Sequence, residues 1–199
     1  MGLTIQYAEG QTPLSEEEKD GLLIHSVTTH GELNEFEQMN IEKAVEWTLS
    51  KTFRPEYILS EDFVRKLHRR MFDEVWSWAG EFRLSEKNLG IPARLIGTTL
   101  RQLNDDCLFW VKNKIYSADE IAIRYKHRIV SIHCFSNGNG RHSRLIADVI
   151  HKHIFNLNFF NWSDHSNLEQ AGEQRTRYLQ AIREADRENI QALIEFAKS

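Results

Sequence analysis

The side chains best suited to chemistry in this chain lie between His133 and Arg144, in the segment HCFSNGNGRHSR. Glycines at positions 138 and 140 permit backbone angles that other residues avoid. Successive N–H groups in such a turn can converge on an anion. Arg141 and Arg144 are three positions apart, so a helix would project them from one face. The segment therefore predicts an anion site with a histidine at its edge.

Helical patterns flank this segment on both sides. An apolar helical pattern runs from about residue 118 to His133, and another follows Gly140. The start of the second helix would present its positive dipole end to the same anion. Two guanidinium groups beside a glycine turn suit a polyphosphate. The ordinary pKa of a histidine, about 6.5, would let His133 accept a proton from an attacking hydroxyl.

Other interpretations of the segment exist. It is not a Walker loop, because the final Lys-Ser/Thr is missing and no strand pattern precedes it. An Asn-Gly hairpin turn would need strands on both sides, where the sequence has helical patterns. Two alternatives stay open. One is a helix–turn–helix whose arginines contact a nucleic-acid backbone; the other is a purely structural turn with His133 in the core.

Composition limits the function classes. The chain has 199 residues, 41% hydrophobic and 27% charged, which is ordinary for one globular domain. A net charge of −4 argues against a general nucleic-acid binder, since such domains are usually basic. Cys107 and Cys134 form neither a disulfide framework nor a zinc-ligand spacing. We find no secretory signal and no apolar stretch near the roughly 20 residues of a membrane span, so we expect a soluble cytoplasmic protein.

The apolar spacing predicts an all-α protein with a single domain over residues 1–199. Apolar residues recur every three or four positions in most segments after residue 28. Residues 1–25 are predicted as an extended lead-in, with a helix-start pattern at Pro13 and Ser15. Residues from about 80 to 97 are rich in glycine and alternate in polarity, which predicts a loop or short β-hairpin.

The segment from His133 to Leu145 resembles the signature of the Fic domain family, His-x-Phe-x-Asp/Glu-Gly-Asn-Gly-Arg-x-x-Arg. Every constrained position matches except Asn137. The resemblance extends to LHRRMFDEVWSWAGEFR and KNLGIP, and is strongest to a small bacterial subfamily called mobile mystery protein B. It implies a Fic-fold helical bundle with a short β-hairpin flap, in which residues 133–144 form the active-site motif.

This resemblance implies a protein adenylyltransferase, which transfers AMP from ATP to a Ser, Thr or Tyr hydroxyl of a target protein. His133 would be the general base, and Phe135 would anchor the loop in the core. Catalysis would also involve Asn139 and Arg141. The residues implied to bind the nucleotide are Asn137, Gly138, Asn139, Gly140, Arg141, Arg144 and Tyr178.

Asn137 is where the chain departs from the pattern. The family usually has a carboxylate there that holds Mg²⁺ between the α- and β-phosphates, and magnesium prefers hard, usually charged oxygen ligands. Asn137 would therefore bind Mg²⁺ weakly, mainly through the nucleotide. Two alternatives follow: a Fic-fold transferase that uses another nucleotide or phosphate donor, or a catalytically weak nucleotide-binding or interaction module. We expect no structural metal at the chain's histidines.

The resemblance also implies control elements. Family members carry an inhibitory helix with Ser/Thr-x-x-x-Glu-Gly/Asn, and TTHGELNEFE, within a predicted helix at about 28–50, resembles it in part. Glu32 would pair with Arg144 and block the γ-phosphate, with Glu35 as the alternative.

Lys87 and Asn88 in the flap would dock the target. The subfamily resemblance implies a helix–turn–helix protein as a further partner, and no direct binding of nucleic acid or membrane. Asp148, four residues after Arg144, is predicted to orient it. Trp76 and Trp78 are expected in the core.

Overall fold

The computed structural model describes residues 13–162, Leu168 and residues 172–199, and it is mainly helical there. Residues 1–12, which belong to the predicted extended lead-in, lie outside the described residues. The helices are α1 Glu16–Lys19, α2 His30–Leu49, α3 Pro55–Ile58, α4 Glu61–Phe72, α5 Ile96–Asn113, α6 Ala118–Ile132, α7 Asn139–Phe155, α8 Glu173–Asp186 and α9 Gln191–Lys198, with a 3₁₀ turn at Ala93–Leu95.

Local sequence explains where most of these helices begin. Ser60 and Ser117 cap α4 and α6, because each hydroxyl accepts a backbone N–H three residues on, at 3.2 Å. Ser15 does the same for the short helix α1, and Glu18 returns a bond to the N–H of Ser15, which completes a capping box. The predicted helix start at Ser15 is confirmed.

Helix α6 packs along α7, and this pair forms the centre of the molecule. Helices α3 and α4 pack against α7, α2 covers α4, and α5 lies on the other side against α6. Helices α8 and α9 pack together, and α9 contacts α6. No helix in the described part of the chain is long and apolar enough to cross a membrane. The all-α prediction is confirmed.

The core contains an aromatic cluster next to the central pair. Phe63 in α4 is 0% exposed and makes ring contacts with Trp47, Phe53 and Tyr57 at centroid distances of 5.2–6.0 Å. Trp76 is also 0% exposed, as expected, and its ring stacks on Trp78 at 4.9 Å. These rings fix α4 against α2. The position of α2 in turn determines which polar side chains its residues meet.

The segment after Gly80 contains no hairpin, so that part of the prediction is wrong. Within residues 13–162, 168 and 172–199, β pairing is limited to one bridge between Leu22 and Trp76. Arg83 is buried, and its guanidinium donates to the carbonyls of Ser85 and His133, while its N–H donates to the carbonyl of Cys134. The backbone N–H groups of Arg83 and Ile91 bond to the end of α6 and the turn after it instead of forming a strand pair, so residues 81–92 form an irregular loop, which we call the flap.

We expect Phe63→Ala to lower the free energy of unfolding by about 3–5 kcal/mol, because it removes a fully buried ring. Phe109→Ala is the matched control, since Phe109 is 58% exposed in α5. The control should change stability by no more than about 0.5 kcal/mol. Urea denaturation followed by circular dichroism measures both. Equal losses for the two variants would contradict the assigned core.

Candidate active site

His133 ends helix α6 in a left-handed conformation, with φ 58° and ψ 62°. Its N–H still donates to the carbonyl of Ile129 at 3.2 Å, while its carbonyl accepts a 2.6 Å bond from Nε of Arg83. A left-handed residue stops the helix and turns the chain. Gly90 of the flap lies so close that a Cβ there would be 2.5 Å from Cβ of His133. The flap therefore contacts His133 at two points, its carbonyl and its Cβ.

The imidazole of His133 is neutral at physiological pH. Burial lowers its pKa to about 4, and the nearby positive charges of Arg83 and Lys87 act in the same direction. The side chain is 8% exposed. A neutral imidazole has one nitrogen that can accept a proton, so the group is in the form that a general base requires.

Gly138 begins helix α7 with φ 75° and ψ 0°. A Cβ at this position would lie 2.5 Å from Cζ of Phe72, so both the backbone angle and the available space require glycine. The N-terminus of α7 therefore opens beside the turn that starts at His133. This is the predicted juxtaposition of a glycine turn, a helix start and a histidine.

Asn139 holds the loop together through its side chain. Its Oδ1 accepts from the N–H of Phe135 at 3.0 Å, and its Nδ2 donates to the carbonyl of Phe135 at 2.7 Å. Both polar atoms of the amide are thus occupied by the backbone of one residue. In this structure Asn139 positions the loop, so a predicted catalytic contribution would come from its backbone N–H.

Two buried histidines, His68 and His142, pack against the loop. His68 accepts the N–H of Gly80 at Nδ1, so its Nε2 carries the proton and donates to the carbonyl of Asn137 at 3.1 Å. Burial lowers the pKa of His68 well below its ordinary value, and burial lowers that of His142 to about 4. The ring of Phe135 stacks on His68 at 3.7 Å and meets His142 edge-on at 5.2 Å. Phe135 is thus the anchor that its place in the motif predicts.

Arg141 forms a mostly buried ion pair with Glu37 of helix α2. Nη1 of Arg141 lies 2.6 Å from Oε2 of Glu37, and Oε1 of Glu37 accepts from Nε1 of Trp76 at 2.6 Å. The two charged side chains are 13% and 3% exposed. The guanidinium also lies over the ring of Phe72, 4.9 Å from its centre. Both oxygens of the carboxylate are satisfied, which is what allows Glu37 to be buried.

Arg144 lies beside Tyr178. Its guanidinium carbon is 5.7 Å from the centre of the tyrosine ring, and the ammonium of Lys126 is 4.6 Å from the same ring. Lys126 is 0% exposed, and its Nζ makes no hydrogen bond within the described part of the chain. Burial lowers the pKa of this ammonium. Two cations, one from α6 and one from α7, thus lie against the phenol ring of α8.

The structure does not bring Glu32 to Arg144. One oxygen of Glu32 accepts from the N–H groups of Thr28 and Thr29, at 2.9 and 3.0 Å, and the side chain is exposed. The Thr29 hydroxyl accepts from the N–H of Glu32, so Glu32 belongs to the capping box of α2. Glu35 is exposed as well. The predicted pairing with Arg144 is wrong in this structure, and the motif arginine that meets an α2 carboxylate is Arg141.

The structure shows the surroundings of three further predicted residues. The carboxylate of Asp148 accepts from the N–H of Phe160 and the indole of Trp162, and the positive charge of Arg144 also acts on it. Burial raises the pKa of Asp148 to about 7. In the flap, Asn88 is exposed, whereas Lys87 is ion-paired with Glu18.

The described residues do not form a metal site of their own, since they contain no group of three His, Cys, Asp or Glu side chains able to hold an ion. Asn137 contributes one neutral amide oxygen, which accepts from the N–H of Gly138 at 2.6 Å. A magnesium ion would therefore need most of its ligands from a nucleotide and water.

Sequence patterns missed four residues of this site: Glu37, His68, Arg83 and Lys126. Glu37, His68 and Lys126 are polar side chains on buried faces of their helices, and a polar residue among apolar neighbours is the signal that could have revealed them. Arg83 lies in the flap, where no periodic pattern marks it. Pattern alone does not state which partner satisfies them.

The arrangement defines a class: a helical protein with an anion site at a helix start and a neutral histidine beside it. Residues 58–151 match the model of the Fic/DOC family. Similar solved structures include the N-terminal FIC domain of Bep8 from Bartonella sp. 1-1C, with 16% sequence identity and a TM-score of 0.67. The match covers 88% of this chain and 89% of that chain.

Two others were solved with nucleotides. A Fic domain from Bartonella quintana with bound ADP has 15% identity, coverage of 91% and 94%, and TM-score 0.65. BepC from Bartonella tribocorum with bound AMPPNP has 16% sequence identity to this chain and a TM-score of 0.68. The match covers 92% of this chain and 97% of that chain. No curated protein matches this chain. Residues 58–151 thus match the Fic/DOC family model, and the solved structures show that the chain has the Fic fold, which confirms the fold prediction.

Gly138→Ala should lower the free energy of unfolding by about 1–3 kcal/mol, because alanine is strained at φ 75° and its Cβ meets Phe72. Gly97→Ala is the matched control, since a Cβ at Gly97 in α5 meets nothing within 4 Å. The control should be neutral or more stable by up to about 1 kcal/mol. Chemical denaturation measures both variants; a tolerated Gly138→Ala would disprove the strained turn.

Proposed function

We propose that this protein is an adenylyltransferase that transfers AMP from ATP to a hydroxyl of a target protein. The observation that carries the proposal is the neutral, buried His133 placed at the same end of the central helix pair as the start of α7. Arg141 and Arg144 extend from the first turn and a half of that helix. Members of the family typically transfer a nucleoside monophosphate to proteins, and two of the similar structures contain ADP and AMPPNP.

His133 accepts the proton of the target hydroxyl, whose oxygen attacks the α-phosphorus of ATP. The bond from that phosphorus to the oxygen bridging to the β-phosphate breaks, and pyrophosphate leaves. The N–H groups of Gly138, Asn139 and Gly140 and the guanidinium of Arg141 would stabilise charge on the phosphates. Arg144 would bind the γ-phosphate and Tyr178 would line the adenine pocket.

Magnesium would supply charge neutralisation between the phosphates. Asn137 offers at most one neutral ligand, so the ion would arrive with ATP. This leaves two competing proposals: another nucleotide or phosphate donor, or a weak nucleotide-binding module. Cytoplasmic location, a helix–turn–helix partner and the mobile mystery protein B subfamily remain predictions from the sequence.

We also propose that the resting enzyme is restrained by Glu37 instead of Glu32. Its carboxylate neutralises the guanidinium of Arg141, the cation that would hold the phosphates. Phosphate and carboxylate compete for the same donor groups. Glu37 is also bound by Trp76, so the restraint is built into the contact between α2 and the segment after α4.

His133→Ala should reduce the transfer of AMP from labelled ATP by about 10²–10⁴-fold, the usual contribution of a general base. His25→Ala is the control, because His25 is exposed and far along the chain from the motif. Intact-mass detection of self-labelling or of labelled proteins in an extract measures the transfer. Replacing ATP by other nucleoside triphosphates tests the donor. Unchanged transfer by His133→Ala would remove the assigned base.

The pH dependence should reflect the lowered pKa of His133. We expect kcat/KM for transfer to fall on the acid side near pH 4, well below the ordinary histidine value of about 6.5. The unfolded chain takes up this proton first as the pH falls, so stability declines between pH 6.5 and about 4. Circular dichroism at each pH separates unfolding from titration. If kcat/KM instead fell near pH 6.5 while the enzyme stayed folded, the neutral, buried base would be contradicted.

Glu37→Gln should increase transfer, because it removes the charge that neutralises Arg141 while an amide oxygen can still accept from Trp76. We expect a change of about tenfold, equivalent to about 1.4 kcal/mol. Glu32→Gln is the matched control on the same helix, and it should affect only helix stability, by about 0.5–2 kcal/mol. Lower transfer by Glu37→Gln would show that Glu37 orients Arg141 for catalysis and that the enzyme is unrestrained.

A further inference from the structure

The flap carries a binding site for a carboxylate, and a residue of the same chain fills it. Nζ of Lys87 forms an ion pair with Glu18, and the hydroxyl of Ser85 donates to Oε1 of Glu18 at 3.1 Å. The side chains of Lys87 and Glu18 are 6% and 12% exposed. Lys87 also donates to the carbonyl of Pro13 at 3.1 Å.

The flap links this carboxylate to the proposed base. Ser85 bonds Glu18, and Arg83 donates both to the carbonyl of Ser85 and to the carbonyl of His133. The charge of Lys87 contributes to lowering the pKa of His133, and the hydroxyl of Ser136, in the motif loop, contributes to lowering the pKa of Glu18. Burial alone would raise the pKa of Glu18, but the hydrogen bonds from Lys87 and its neighbours outweigh it. Glu18 is therefore ionised at neutral pH.

The segment that contributes Glu18 is short, and the bridge from Leu22 to Trp76 joins its C-terminal end to the rest of the chain. Helix α1 has four residues and none of them is buried. Leu14, 5% exposed, is the apolar anchor, and the carbonyl of Glu18 accepts from the indole of Trp78 at 2.9 Å. Displacing so small a segment exposes little apolar surface, in contrast to the helices of the core.

Lys87 makes the site selective. An ammonium that is largely buried is costly without a partner, so a molecule that displaces Glu18 must replace its charge. A neutral side chain would leave Lys87 unpaired, whereas an aspartate or glutamate would restore the pair. The flap is therefore complementary to an acidic peptide.

We propose that Ser85 and Lys87 receive an acidic side chain of the target protein, and that Glu18 occupies this receptor until the target binds. The substrate class is thus a protein segment that presents a carboxylate beside the hydroxyl to be modified. The proposal rests on the proposed function, because it takes the flap as the surface where the target docks.

The test measures peptide binding to full-length protein, without nucleotide. The probe is a fluorescein-labelled peptide, PLSEEEKDGL, which copies residues 13–22. Glu18→Gln should weaken the binding of the protein's own segment to Ser85 and Lys87. This variant should therefore bind the peptide about tenfold more tightly than wild type does. Glu17→Gln is the matched control, because Glu17 is exposed and no ion pair involves it among the described residues. Fluorescence anisotropy gives the dissociation constants.

Two further arms test the chemistry. A peptide with glutamine at the place of Glu18 should bind the Glu18→Gln protein about tenfold more weakly than the acidic peptide does. Adding Lys87→Met to that protein should abolish the preference. The proposal is overturned if the acidic peptide does not bind, if it binds equally to Glu18→Gln and Glu17→Gln proteins, or if its binding does not depend on Lys87. None of these results bears on AMP transfer, so a failure here is distinct from a failure of the proposed function.

Discussion

The whole site depends on one constraint, the reversal of the chain between α6 and α7. Helix α6 ends at a left-handed His133 and α7 begins at a left-handed Gly138. The amide of Asn139 fixes the connection by bonding both the N–H and the carbonyl of Phe135. Because this turn is so short, a histidine and a helix N-terminus must lie at the same end of the molecule. The candidate proton acceptor, His133, and the candidate anion site at the start of α7 are therefore adjacent.

Burial then fixes the charge states around this turn. His68, His133 and His142 are all in a desolvated environment that lowers their pKa values, so neutral imidazoles surround the loop. The positive charge remains on the arginines, and Glu37 balances that of Arg141. A site that mixes neutral bases with buried cations suits a polyanionic ligand, which brings the charge that the protein itself does not supply.

Glu32 and Glu37, both in α2, show why the sequence pattern was insufficient. The run from Thr28 to Glu32 resembles an inhibitory motif, but the same letters contain a capping box from Thr29 to Glu32. The local bonds of the helix start are close in sequence, so they form regardless of the fold. Glu37 lies five residues later on a buried face, and its meeting with Arg141 depends on the packing of α2 against α4 and on Trp76.

The sequence by itself determined the helical class, the motif from His133 to Arg144 and the need for glycine at Gly138, because these rest on local periodicity and backbone sterics. Tertiary structure alone decided that Glu37 pairs with Arg141, that the flap is a loop tied to His133 by Arg83, and that Glu18 fills the site of Lys87. The physical reason is that burial and long-range contacts set charge, pKa and partners. Neither is encoded in the spacing of neighbouring residues.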